Sequence, residues 1–413
     1  MRNVGSNPVV TNTIPESKPT LLPLKRFLPR SLSLVIAATL FLAGIWLIPH
    51  RWCAREGRAW YTGDAALQQK LARGVERWVS TDLSRQHFKT GSHQFNGEWL
   101  FGTYMMAGMG FGQTVIEHPE WRTHHIELMG ACIERVLTPQ VREFDKETWD
   151  NDPLETLDSD SDHAAFLGYF NLLLSFHRFL DPNSKYAALN DRITAALVRR
   201  LEKSPLLLLR SYPSEIYPVD NCAVIGSIGL YDRATGADHR DLLRRWGNRC
   251  RSSYIDAKTH LLYQCINSET GAPADEPRGS GTCLGLYFLS FADPSLSKEL
   301  FQAARSELGR SLLGFGVVRE FPASVHDGVG DIDSGPILFG YGFSATGFSI
   351  GACRIHRDAE YFSRLYSTAY LFGAPFDHDG SRDFVTGGPL GNALLFAMLT
   401  AQPDLGVTKR NGP

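Results

Sequence analysis

Asp331 and Asp333 stand two residues apart in Asp331-Ile332-Asp333-Ser334-Gly335-Pro336, and a glycine-rich run of small residues, Phe339 to Phe348, follows at once. Carboxylates grouped in this way suit general acid/base chemistry, in which a protonated group gives up its proton while an ionised neighbour accepts one. Acids are rarely buried unless paired or used, and each glycine costs a helix about 1 kcal/mol relative to alanine. The segment therefore reads as the floor of a pocket with acids at its mouth. It also fits a solvated turn in which Asp333 or Ser334 caps a helix with Pro336 in its first turn.

Other acids and aromatics gather at predicted helix starts. Asp220 opens a helix over 219–233 behind Tyr217 and Pro218. Partial burial there raises a carboxyl pKa, which makes Asp220 the candidate general acid, although the helix dipole favours the ionised form. Asp333 or Asp331 is then its ionised partner. Glu98 and Trp99 begin another helix, and Glu276 precedes a third. The loop from Trp149 to His163 carries Asp150, Asp152, Glu155, Asp158, Asp160 and Asp162, and His163 and Tyr169 lie on the helix after it. The substrate-binding set expected around one cavity is Glu98, Trp99, Asp160, His163, Tyr169 and Tyr217. Helix capping is the better account of any one of these acids taken alone.

Three literal motif matches fail on context. Asp158, Asp160 and Asp162 occupy calcium-loop positions one, three and five, but His163 replaces the glycine at six and Tyr169 the glutamate at twelve. Gly347-Phe348-Ser349-Ile350-Gly351 spells a nucleophile elbow but lies inside a helical run with no strand before it. Gly108-Met109-Gly110-Phe111-Gly112 has neither the strand nor the later acid of a dinucleotide site, and close helix packing explains it.

The elements that must position these groups are mostly helices. Apolar residues recur at three- and four-residue spacing in Leu67/Leu71/Val75/Trp78, Phe166/Phe170/Leu173/Leu174, Leu189/Ile193/Leu197/Leu201 and Leu242/Leu243/Trp246. Further helical stretches fall near 97–116, 121–137, 219–233, 280–292, 295–313, 337–355, 358–371 and 387–401, about twelve in all. Short turns such as Asp181-Pro182-Asn183 and His378-Asp379-Gly380 separate them. Residues 253–265 read as a β-hairpin. Twelve helices joined by short turns predict an all-α, (α/α)6 toroid with short β-hairpins at its loop end. An extended superhelix is the alternative, but no repeat of constant period supports it.

The chain has 413 residues, 43% hydrophobic and 21% charged, with a net charge of −2. That balance is globular and lacks the basic footprint of a nucleic-acid partner. Seven scattered cysteines show no metal-ligand spacing, so neither a metal nor a cofactor is expected. Leu32 to Ile48 form an uncharged apolar run closed by Pro49, with Trp46 near one end. Its length and flanking charges predict a single-pass signal-anchor. About thirty residues ahead of it are long for a cleaved signal peptide. The expected organisation is a disordered cytoplasmic segment over 1–30, a transmembrane anchor over 31–49 and a toroid domain over 56–405. That topology puts the body on the periplasmic side of a bacterial inner membrane.

The body resembles the linalool dehydratase/isomerase-like family of α/α-toroid proteins over about residues 95 to 300. The resemblance rests on Trp149 with the acidic loop, Gly168-Tyr169-Phe170-Asn171-Leu172, Tyr186, Asp220-Asn221, Leu230-Tyr231-Asp232-Arg233 with Gly236, and the Ala292-Asp293-Pro294 turn. It implies six helical hairpins and a lyase or isomerase acting on a small hydrophobic alcohol. The family's catalytic cysteine precedes the helix that holds Asn221, where this chain has Asp220; its histidine ahead of a Leu-Asn-Leu run corresponds to Tyr169, and a tyrosine to Phe101. Cys222 stands nearby on another face of the helix.

These readings leave three functions in view. The first is a membrane-anchored, extracytoplasmic enzyme that uses carboxylates to hydrolyse or eliminate a glycan. The second is a lyase or isomerase on a small hydrophobic alcohol. The third is a cell-envelope binding protein without turnover. Aromatics and acids suit a saccharide, since rings stack on sugar faces and carboxylates bond their hydroxyls.

Overall fold

The computed structural model describes residues 30–326 and 328–402. The segment expected at 1–30 lies outside the described residues apart from Arg30. The chain divides into two units, one ending at Ile45 and the other starting at Trp46. A helix, Arg30–Ala54, carries the apolar run. Among the described residues one helical stretch, Ser31–Tyr61, is long and apolar enough to cross a membrane by length and composition, with a mean hydropathy of 2.3 in its most apolar window.

The second unit is all-α and toroid-like. Six helices, His93–Glu117, Ala164–Leu180, Pro218–Thr235, Gly279–Leu289, Phe343–Ile355 and Gly388–Leu399, each pack against the next, and the last packs against the first. This closes a ring, which excludes the extended superhelix. Six others alternate with them along the chain: Ala65–Ser80, Arg122–Val136, Ala187–Lys203, Arg240–Arg249, Pro294–Glu307 and Ala359–Gly373. Sequence decides which helices go inside. The inner ones are apolar on more than one face, and Pro218–Thr235 buries every residue from Pro218 to Leu230. An outer helix such as Ala65–Ser80 buries only the stripe Gln68, Leu71, Ala72, Gly74, Val75 and Val79.

Glycines let the inner helices approach each other. A Cβ on Gly110 would sit 2.4 Å from the Phe396 ring, and one on Gly226 would sit 2.4 Å from the Phe288 carbonyl oxygen. The glycines of 108–112 thus serve helix contact. Ser349 lies within a helix, where its hydroxyl donates to the Ala345 carbonyl at 2.8 Å.

Short strand pairs complete the fold: Glu215–Ile216 with Ile266–Asn267, Gly309–Leu312 with Phe315–Val318, Ile337–Leu338 with Tyr341–Gly342, and Pro375–His378 with Ser381–Phe384, all antiparallel. Two sequence expectations are corrected. Over 253–265 only an isolated bridge forms, between Ile255 and Leu262, because Cys250–Tyr254 continues the preceding helix as a π-turn. The helix expected from 337 begins at Phe343, and 337–342 is a hairpin. Neither Asp333 nor Ser334 caps that helix, whose N-cap is Gly342.

Candidate active site

The first turns of all six inner helices converge on one cavity of about 1360 Å³. Their aligned peptide dipoles make that end of the ring electropositive, so acids gathered there have a field to compensate.

Asp220 sits in the first turn of Pro218–Thr235, whose start is fixed by Pro218 and by its neighbour Asn221. The Asn221 side chain accepts from the Leu209 N–H at 2.8 Å and donates to the Leu209 carbonyl at 2.9 Å. That clamp holds the preceding loop and leaves Asp220 to face the cavity. Asp220 is 8% exposed and accepts a hydrogen bond from the Tyr169 hydroxyl at 2.9 Å. Burial pushes its carboxyl up to about 6, while the Ser211 and Tyr169 hydroxyls pull the other way.

Glu98, in His93–Glu117, makes a parallel pair: the Tyr212 hydroxyl donates to its Oε2 at 2.8 Å. Burial, then the nearby charges of Asp333 and Asp220, holds Glu98 well above the usual carboxylate range. Asp333 reaches the same space from the 331–336 loop. Among the described residues no group donates a hydrogen bond to it. It lines the cavity as an exposed residue, and the surrounding walls desolvate it in part. That desolvation, followed by the charges of Asp331 and Asp220, raises it to about 7, against the opposing Arg278 cation. The charge of Asp220 thus acts on both Glu98 and Asp333.

Asp331 plays a different part. It pairs with the buried Arg278 guanidinium and accepts from the Ser334 N–H at 3.0 Å, so it is a fixed anion that shapes the loop bearing Asp333. Arg278 also pairs with Asp275 at 2.5 Å. Glu276, the acid noted ahead of this helix, is exposed.

The structure brings Glu98, Trp99, Tyr169, Tyr217, Asp220, Asp331 and Asp333 to the cavity wall. It does not bring Asp160 or His163 there. Asp160 is exposed and pairs with Lys203 at 2.7 Å, because the acidic loop leans on the next outer helix. His163 is fully buried beneath Trp149, its Nδ1 2.5 Å from Asp145 and its Nε2 2.8 Å from Asn151. Its backbone is left-handed, at φ 51, which turns the imidazole down into the packing. Tyr212 and Arg278 are the functional groups that sequence reasoning misses. Tyr212 belongs to no periodic element, and Arg278 gains meaning only from Asp331, distant in the chain.

Phe101, Tyr169 and Asp220, the positions where the chain departs from the linalool dehydratase/isomerase-like pattern, all line the cavity. Cys222 is fully buried and its thiol is pushed far up by desolvation, so it is inert here. Among the described residues no group of three or more His, Cys, Asp or Glu side chains is arranged to hold a metal ion.

No protein-family model matches the chain, and no curated protein is similar to it in sequence. Among solved structures, an unsaturated glucuronyl hydrolase specific for heparin aligns with a TM-score of 0.51 at 10% identity, over 86% of this chain and 98% of that one. A GH76 α-mannanase of Bacteroides thetaiotaomicron gives 0.49 at 10% identity over 83% and 96%. An unsaturated glucuronyl hydrolase of a Bacillus species gives 0.44 at 13% over 74% and 98%. At these identities the likeness is one of fold. The fold resembles that of the six-hairpin α/α-toroid glycosidases and is not specific to the linalool dehydratase/isomerase-like family.

Proposed function

We propose that this cavity carries out carboxylate acid/base catalysis on a hydroxylated substrate, cleaving a glycosidic bond by hydrolysis or elimination. The observation that carries the reading is a single one: Asp220 and Asp333, both raised towards neutral pH, line the same cavity. A fold built only for stability gains nothing from such groups, since each resists ionisation where it stands. The likeness in fold to a glucuronyl hydrolase is consistent with this and fixes no substrate.

The roles proposed here are the reverse of those expected from sequence. Asp333, raised further and free of hydrogen-bond donors, is the general acid. Asp220, whose ionised form the Tyr169 hydroxyl stabilises, is the base. In hydrolysis Asp333 gives its proton to the departing oxygen while Asp220 takes one from the attacking water. In elimination Asp220 takes the proton from the carbon next to the breaking C–O bond instead. Glu98, held by Tyr212, and Trp99 orient the hydroxylated part.

A second reading, a lyase or isomerase on a hydrophobic alcohol, is favoured by the many leucine and phenylalanine side chains elsewhere in the cavity. Turnover of a glycan panel and of a terpene-alcohol panel by the full-length protein separates the two. Loss of turnover in Asp333→Asn and Asp220→Asn is expected for whichever substrate reacts. If neither variant alters turnover, the acid/base assignment is wrong. A periplasmic body on an N-terminal anchor remains part of this proposal, tested by protease accessibility in spheroplasts.

A further inference from the structure

The cavity is larger than a small-molecule site usually is, at about 1360 Å³, and its lining is of two kinds. Glu98, Tyr169, Tyr212, Asp220 and Asp333 give it polar groups. Leu313, Leu338, Phe343, Leu371, Leu390 and Leu394 give it apolar wall. Leucines give a sugar hydroxyl no partner, and burying one there is costly. They fit a hydrocarbon chain.

The rim continues this apolar wall outward. Leu313 is 58% exposed, Phe339 88%, Phe376 59% and Val385 63%. Backbone conformation sharpens the point. Three two-residue hairpin turns have both residues left-handed: Leu313-Gly314, Phe339-Gly340 and Asp379-Gly380. The last has the Asp-Gly pair such turns favour. The first two place a bulky apolar side chain where its backbone is strained and aim it into the surroundings. Water offers nothing to offset that arrangement, but a hydrocarbon surface does.

The chain itself reaches this rim. The apolar run ends at Ile48, and the residues after it pack on the same lip. The His50 ring lies edge-on to Phe315, a cavity residue, at 6.0 Å. Trp52 and Cys53 share a shallow groove with Leu371, Phe376 and Val385, and Leu371 lines the cavity as well.

Building on the acid/base reading of the carboxyls, we propose that the rim rests on a lipid bilayer and that the substrate is a membrane-borne amphiphile, its hydroxylated head at Asp220 and Asp333 and its hydrocarbon chain along the leucine side chains.

The test uses the full-length protein in phosphatidylcholine nanodiscs, irradiated with dodecyl maltoside bearing a diazirine in its chain and mapped by mass spectrometry. Crosslinks are expected at 311–315 and 388–395, displaced by unlabelled dodecyl maltoside but not by maltose. The double variant Leu313→Glu/Phe339→Glu changes only exposed turn residues and should lower that labelling about tenfold. Labelling confined to 30–54, displacement by maltose alone, or an unaffected double variant overturns the proposal. If labelling persists while the carboxylate variants leave turnover unchanged, the acid/base reading fails and the amphiphile site stands.

Discussion

The Tyr169 hydroxyl donates to Asp220 Oδ1 across 2.9 Å, bridging two adjacent inner helices at the cavity wall. Tyr169 itself is held edge-on to Phe288 at 4.9 Å, so the donor is fixed before any substrate arrives. A preset donor stabilises the ionised base, and it lets a buried carboxylate titrate near 6 when burial alone would drive it higher.

Turnover should therefore follow a narrow bell in pH. Asp220 must be ionised, which sets the acid limb at about 6, and Asp333 protonated, which sets the basic limb at about 7. In Tyr169→Phe the ionised form of Asp220 loses its donor, so the acid limb of kcat/KM moves up towards the basic one and the bell shrinks. An acid limb that stays in place would show that Tyr169 does not tune Asp220.

The same burial that tunes Asp220 burdens the fold. Its folded-state pKa, about 6, lies above the ordinary aspartate value of 3.8. Its contribution to stability is therefore full below 3.8 and is lost as pH rises through about 6. A shift of that size corresponds to about 3 kcal/mol as an upper figure. Asp220→Asn removes the penalty and keeps an acceptor for Tyr169. The variant should lose turnover yet gain about 1–3 kcal/mol in urea unfolding near pH 8, with little gain near pH 4. Equal stability of the two proteins at both pH values would mean that Asp220 is better solvated than its position implies.

Arg278 supplies the opposing charge. It neutralises Asp331 and draws Asp333 down from where burial and the neighbouring acids would put it. Arg278→Gln leaves Asp331 as an unpaired anion beside Asp333. The basic limb of the pH profile should move up, and stability should fall by about 1 kcal/mol, because the carboxylates left behind are partly exposed and screened by water. Arg278→Lys should restore part of the stability, but its single ammonium cannot pair with Asp275 and Asp331 as the guanidinium does. A basic limb unmoved in Arg278→Gln would detach Arg278 from the tuning of Asp333.

The closed ring is readable in the sequence because its cause is local: apolar spacing of three and four, short turns, and glycines where helices touch. The acids at inner-helix starts are readable for the same reason, since a helix N-terminus has a chain signature and the ring brings six of them together. Partners are not readable. Asp160 and Asp162 look alike in the sequence, yet Lys203 takes one and Arg210 the other at 2.8 Å, each more than forty residues away. The raised position of Asp333 likewise depends on walls drawn from several distant segments. The hairpin at 337–342 competes with a helix on nearly equal terms there, and Phe339 with Gly340 in left-handed backbone decides it.

His163 gives the sharpest contrast between a reactive-looking residue and a structural one. Its imidazole is sealed under Trp149 at a ring separation of 4.7 Å, bonded to Asp145 on one side and Asn151 on the other. Asp145 is itself wholly buried, and desolvation raises its carboxyl despite the imidazole. Removing either partner leaves the other buried without its bond. His163→Ala and Asp145→Ala should each cost about 3–5 kcal/mol, lowering Tm and the yield of folded protein. The folded fraction should retain the parent's KM and the same pH limbs, because neither group reaches the cavity. A shift in either limb would bring the pair back into the catalytic machinery, coupled through Trp149 and the helix that carries Tyr169.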